Sequence, residues 1–183
     1  MSIKDKINVA VIGATGYTGL DLVLMLSNHP KVKIISLCAS KNLGKKISFF
    51  DKRIKKKLPL ISSIKKLNWN NLDTVFLSLP NGHAQKIIKK HYHKNKKLRF
   101  IDLSADFRII DPKIYKMNYN LKHKAKDLIK HSLYSIPEVD KEKIKKIRII
   151  SNPGCYPTSI QIPLIPLIKK NLIKTKNIVI DSK

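Results

Sequence analysis

At 183 residues the chain has room for one ordinary domain and part of another, and with 43% hydrophobic residues it is rich enough for a sizeable core. Its formal net charge of +26 would ordinarily direct attention to nucleic acid, yet of 38 basic residues only Arg53, Arg99, Arg108 and Arg148 are arginines. Recognition of bases and phosphates favours the guanidinium fork, and the lysines are spread along the chain, so a specific nucleic-acid function is disfavoured.

A surplus of Lys, Ile and Asn fits drift in an AT-rich coding sequence, which leaves weak polyanion binding at low salt. No apolar stretch is long enough to cross a bilayer, and the start MSIKDKINVAVIG carries no secretory cleavage pattern. Cys38 and Cys155 fall on different expected elements, which favours a reducing, cytoplasmic setting over a disulfide framework.

In chain order, short apolar runs alternate with amphipathic segments, the pattern of βαβ units on a Rossmann-like parallel sheet with helices on both faces. Residues 8–12 predict a first strand, and Leu20, Val23 and Leu24 a helix ending near His29. Residues 32–38 predict the second strand, residues 40–71 mostly loops, and residues 73–80 a strand stopped by Pro-Asn-Gly. A helix over 84–90 and strands over 98–103 and 147–150 follow, with modest helical content near 125–129. After Cys155 an apolar helical face is interrupted by Pro163 and Pro166, which predicts a kink or irregular stretch.

The first turn, Gly13-Ala14-Thr15-Gly16-Tyr17-Thr18-Gly19, sits between a strand and a helix, where a dinucleotide is held. Gly13 permits the tight turn, Gly16 a close approach to pyrophosphate, and Gly19 tight helix packing. NAD sites place an acid about 20 positions further on, but no Asp or Glu lies between Asp21 and Asp51. Ser40 and Lys41 stand there instead, which predicts NADP. Pro80, Asn81 and Gly82 are expected to line the same cleft.

The second site is Ser151-Asn152-Pro153-Gly154-Cys155-Tyr156-Pro157-Thr158. It puts one cysteine on a turn between the apolar run 147–150 and a helix expected to begin near Thr158, where the dipole and unpaired N–H groups favour the thiolate nucleophile. Cys38, within an apolar strand, reads as structural. Ser104 and Arg108 follow a central strand at its ligand-binding end. Arg108 has two readings, a substrate carboxylate or phosphate partner and an ion pair with Asp102 or Asp106. His83 reads as an exposed helix start, and His91-x-His93 lacks the acidic or cysteine partners of a metal site.

GATGYTG at 13–19, VFLSLPNG at 75–82, IDLSADFR at 101–108, YSIPE at 134–138 and NPGCYPT at 152–158 together resemble the N-acetyl-γ-glutamyl-phosphate reductase family. That resemblance implies an NADP-dependent oxidoreductase of arginine biosynthesis. In it Cys155 attacks the acyl phosphate, phosphate leaves, and hydride reduces the thioester to N-acetylglutamate semialdehyde. By position, Asn152, Ser104 and Arg108 are expected at the substrate site, with Ser104 able to contact the nicotinamide region.

It also implies residues 1–154 as the NADP-binding domain and residues 155–183 as the start of a second, α+β domain for catalysis and dimerisation. The chain stops at Lys183, where a Gly/Ser-rich segment and later a catalytic histidine are expected. It therefore reads as a fragment of a homo-oligomeric enzyme, with an edge strand at 178–180 left without its sheet. Competing readings are a related semialdehyde dehydrogenase acting on aspartyl phosphate, and a non-catalytic basic nucleotide- or nucleic-acid-binding remnant.

Overall fold

A computed structural model describes residues 6–181. Seven strands form one all-parallel sheet: β1 (Ile7–Ile12), β2 (Val32–Cys38), β3 (Ile61–Ser62), β4 (Thr74–Leu77), β5 (Arg99–Asp102), β6 (Ser132–Tyr134) and β7 (Ile149–Ser151). Their spatial order is β3-β2-β1-β4-β5-β7-β6. The chain runs outward from β1 through β2 to β3, then returns to the other side of β1 with β4. The reversal between β1 and β4 opens a crevice at the carboxyl ends of the strands, where such sheets bind ligands.

Among the described residues, six α-helices accompany the sheet: α1 (Tyr17–Asn28), α2 (Ala84–His91), α3 (Pro112–Tyr119), α4 (Lys126–Ile129), α5 (Pro137–Lys146) and α6 (Cys155–Lys169). The pleat of β1 shows why both faces are covered. Val9 and Val11 point into one apolar cluster with Val23 of α1, while Ala10 and Ile12 point into another with Ala84 and Ile88 of α2. Burying a side chain such as Ile88 stabilises the fold by roughly 1.5–3 kcal/mol.

Two expectations fail at the end of the chain. Helix α6 runs unbroken through Pro163 and Pro166, with no interruption. Both prolines lie on exposed positions, so the ladder donors they lack are missed at the surface. Residues 178–180 form no strand; they run beside Ser159, Ile160, Pro163 and Leu164 of α6, with Val179 left 93% exposed. Ser182 and Lys183, which follow that stretch, lie outside the described residues.

Candidate active site

The turn after β1 is held from both sides. The N–H groups of Gly13 and Ala14 both donate to the Cys38 carbonyl, at 2.8 and 3.1 Å, and Gly16 N–H donates to the Gly13 carbonyl. Gly13 has φ +86°, and a Cβ there would stand 1.8 Å from the Ser78 carbonyl oxygen. A Cβ on Gly19 would come within 2.1 Å of the Gly13 oxygen, so the tight contact at Gly19 is with the glycine turn itself. At Gly16 the nearest atom would be 3.6 Å away. The protein thus needs glycine at the first and third positions, while the second leaves space in front of the backbone. Helix α1 has no side-chain cap and no acid in its first turn, so its positive end is not neutralised by its own first residues.

That space opens into a cleft of about 500 Å³ lined by Gly13, Thr15, Gly16, Ser40, Ser63 and Lys65, and on the β4 side by Ser78, Leu79, Pro80 and His83. Of the sequence-predicted cofactor residues, Ala14, Tyr17, Thr18, Gly19, Lys41, Asn81 and Gly82 are not among the lining side chains and backbone. A larger depression of about 630 Å³ lies at the opposite, amino end of the strands, around Asn8, Lys33 and Asn71, away from both the glycine turn and the cysteine.

Beyond β4 the carboxyl edge is organised by two buried acids. Asp106 accepts from the N–H groups of Gly82 (2.6 Å) and Gln85 (2.9 Å) and from the Tyr115 hydroxyl (2.7 Å), while Asn81 Oδ1 accepts from Ala105 N–H. The Pro-Asn-Gly turn and the loop after β5 are therefore fastened to each other. Burial, reinforced by the bond to Asp106, drives the Tyr115 phenol far above its usual range. Asp102 Oδ1 accepts from Ser104 N–H and Oγ–H, and Oδ2 has no hydrogen-bond partner among the described residues. The Ser104 hydroxyl also accepts from Asp106 N–H, so this buried serine serves the loop's own geometry.

Burial pushes the Asp102 carboxyl up to about 7, against the lowering effect of the Ser104 bonds. A carboxyl that holds its proton more tightly when folded stabilises at low pH, and that contribution is lost as pH rises from its ordinary value of 3.8 through about 7. Asp102→Asn keeps the Oδ1 acceptor and removes the charge. Its melting temperature should match wild type near pH 4 and exceed it by roughly 5 °C at pH 8. Parallel melting curves across that range check this; a constant difference would contradict it.

The cysteine turn leaves β7 directly. Asn152 N–H donates to the Asp102 carbonyl at 2.8 Å, and Arg108 bridges across, with Nε on the Asn152 carbonyl and Nη2 on the Leu103 carbonyl, both at 2.9 Å. A Cβ on Gly154 would meet Arg108 Nη1 at 3.0 Å. Arg108 thus grips the turn through backbone oxygens. Gly154 then caps α6, and Cys155 is its first residue, exposed at the helix's positive end. Cys38 is buried in β2, and burial raises its thiol above the ordinary value.

Cys155 therefore shares the carboxyl edge with the glycine turn, three strand positions away through β4, β5 and β7, or about 14 Å at ordinary strand spacing. The open backbone at Gly16, the uncapped start of α1 and the cleft beside β2 fit a dinucleotide lying across these strand ends. Sequence reasoning overlooked the Asp106 hub and the Ser63–Lys65 wall. Two acids directly after an apolar strand, Asp102 and Asp106, were the available signal for the first.

Comparison with known proteins gives a consistent picture. The sequence model described as "Semialdehyde dehydrogenase, NAD binding domain" matches residues 8–147. The probable chloroplastic N-acetyl-gamma-glutamyl-phosphate reductase of Oryza sativa subsp. japonica is 42% identical over 98% of the chain and 43% of that protein. The N-acetyl-gamma-glutamyl-phosphate reductase of Ehrlichia canis is 46% identical over 97% of the chain and 51% of that protein. The chain spans about half the length of the curated relatives it matches. Among solved structures, aspartate semialdehyde dehydrogenase II of Vibrio cholerae, complexed with ASA, superposes with a TM-score of 0.61 at 20% identity, covering 90% of this chain and 47% of that one. Aspartate semialdehyde dehydrogenase with NADP from Candida albicans gives 0.57 at 22% identity over 90% and 47%. At these identities the structures speak for the fold.

Proposed function

Because the chain belongs to the semialdehyde dehydrogenase family, whose NAD-binding domain it carries, we propose that it forms the dinucleotide-binding and cysteine-bearing half of a reductase. The reaction is the reductive dephosphorylation of N-acetyl-L-glutamyl 5-phosphate to N-acetyl-L-glutamate 5-semialdehyde, in arginine biosynthesis. The observation that carries this reading is the placement of an exposed Cys155, first residue of α6, on the same sheet edge as the glycine turn. The choice of substrate rests on relatives at 42% and 46% identity bearing that reductase name.

In this mechanism Cys155 Sγ attacks the acyl carbon, a C–S bond forms, and the C–O bond to phosphate breaks with its electrons leaving on phosphate. The first-turn N–H groups of α6 and the helix dipole offer positive potential to the oxyanion that develops. Arg108 and Asn152 keep the turn in place, since each is tied to the strand ends around it, while Ser104 orders the neighbouring loop after β5 through Asp102 and Asp106. NADPH, when bound, would supply the hydride for reduction of the thioester, the C–S bond breaking with its electrons returning to Cys155 Sγ as the semialdehyde is released. Gly13, Thr15 and Gly16 would hold its pyrophosphate. NADP rather than NAD is favoured because, among the described residues, no acidic side chain lines the cleft at the end of β2, where ribose hydroxyls would need an acceptor.

Residues 1–154 act here as the dinucleotide domain, and from Cys155 onward the chain belongs to a catalytic and dimerisation domain of a cytoplasmic homo-oligomer. Assay of the enzyme in reverse, with semialdehyde, phosphate and oxidised cofactor followed at the absorbance of the reduced nicotinamide, tests the proposal. N-acetylglutamate semialdehyde with NADP should turn over at least about tenfold faster than with NAD, and aspartate semialdehyde should be rejected. Equal use of aspartate semialdehyde would overturn the substrate reading; equal use of NAD would overturn the cofactor reading.

A further inference from the structure

We propose that Lys65, rather than Lys41, is the residue that selects a 2′-phosphorylated adenosine, an inference that rests on the NADP reading above. Strands β2 and β3 are parallel and in register, Leu37 opposite Ile61 and Cys38 opposite Ser62. The two loops that leave them therefore start side by side at the carboxyl edge. Ala39 N–H donates to the Ser62 carbonyl at 3.1 Å and keeps them together for one more residue.

Past that point they diverge. The first loop turns sharply at Asn42, with φ 62°, and Lys41 is not part of the cleft wall. The second enters a short 3₁₀ turn at Ile64, capped by Ser63, whose Oγ accepts from Lys65 N–H at 3.3 Å. That cap leaves the Ser63 hydroxyl proton available to a further acceptor. Ser40, Ser63 and Lys65 all line the cleft that begins at Gly13 and Gly16.

Among the described residues lining it, Lys65 is the one lysine or arginine, and none is acidic. With pyrophosphate at the glycine turn, the adenosine end lies towards β2 and β3, because the cysteine lies on the opposite side through β4 and β5. A phosphate on the ribose 2′-oxygen needs cationic and hydroxyl donors, and the residues lining this end include one lysine and two serines. A bare ribose diol prefers a carboxylate, and finds none. The specificity wall is thus assembled by pairing β3 beside β2, which the sequence between them does not advertise.

Titration calorimetry at about 0.15 M salt, where exposed charges more than roughly 8 Å apart are largely screened, separates this from the general attraction of a +26 chain for phosphate. The probes are 2′,5′-ADP and 5′-AMP, with NADPH and NADH alongside, on wild type, Lys65→Ala, Lys65→Arg and Lys41→Ala. Lys65 is exposed, so melting temperatures should be unchanged in all variants. Lys65→Ala should weaken 2′,5′-ADP and NADPH by about tenfold or more while 5′-AMP and NADH stay within about twofold, and Lys65→Arg should restore most of the loss.

Equal weakening of all four ligands by Lys65→Ala, or the selective loss appearing in Lys41→Ala instead, would overturn the proposal. Preference for NADPH in wild type that survives Lys65→Ala would overturn this assignment alone. Wild type that binds NADPH no better than NADH would overturn the NADP reading and the assignment with it.

Discussion

Gly16→Ala is expected to fold like wild type and to lose dinucleotide affinity by about tenfold or more, whereas Gly13→Ala is expected to lose the fold's stability itself. The two positions belong to one turn, but their surroundings differ. A methyl group on Gly13 would overlap the Ser78 carbonyl oxygen at 1.8 Å, and its φ of +86° is strained for any side chain. Backbone cannot yield cheaply there, because Gly13 N–H is bonded to Cys38 O and Ser78 N–H to Ile12 O. A cost of about 3 kcal/mol or more follows.

A methyl on Gly16 would meet no protein atom nearer than 3.6 Å, so it would fill only the space a pyrophosphate should take. Thermal melts and NADPH fluorescence titration on both variants read the contrast. Unchanged NADPH affinity in Gly16→Ala would contradict the assignment of this turn to the pyrophosphate. Gly19→Ala should resemble Gly13→Ala, since its Cβ would fall 2.1 Å from Gly13 O.

The two thiols are expected to differ in reactivity by about 100-fold or more towards iodoacetamide. Cys155 is exposed at the first position of α6. Cys38 is 1% exposed inside β2, with Ser36 Oγ 3.5 Å from its sulfur, and burial disfavours its thiolate. Alkylation of Cys38 therefore waits on opening of the sheet, while Cys155 reacts from the folded state. Peptide mass mapping over time resolves the two; similar rates would show that the environment of Cys155 is not the one described.

Much of this architecture is legible in the sequence because its sheet is buried on both faces. Residues 32–38 and 74–77 read as near-continuous apolar runs, and the glycine turn follows the first strand directly. The stretch from 111 to 146 was harder. Asp111 caps α3 by accepting from Lys113 N–H, with Pro112 at its first position, a start signal that was present but short of apolar periodicity to support it. Helix α5 buries no residue and declares itself through Pro137 at its start, acids in its first turn and lysines in its last.

Strand β6 is three residues long, below what alternation can reveal. The cysteine turn could be read from its Pro-Gly and helix-start context, but its restraint could not. Arg108 has two carboxylates within a few positions, and its bonds go instead to backbone carbonyls of Leu103 and Asn152, which only the folded sheet brings near.

The role of Cys155 as nucleophile is most directly examined by incubating the protein with N-acetylglutamyl phosphate in the absence of NADPH, then measuring intact mass, released phosphate and the modified peptide. The predicted result is one acyl group per chain on Cys155, one equivalent of phosphate released, removal of the adduct by hydroxylamine, and none of these in Cys155→Ala. Phosphate release that is equal in Cys155→Ala, or an acyl group carried by any other residue, would contradict covalent catalysis at this turn.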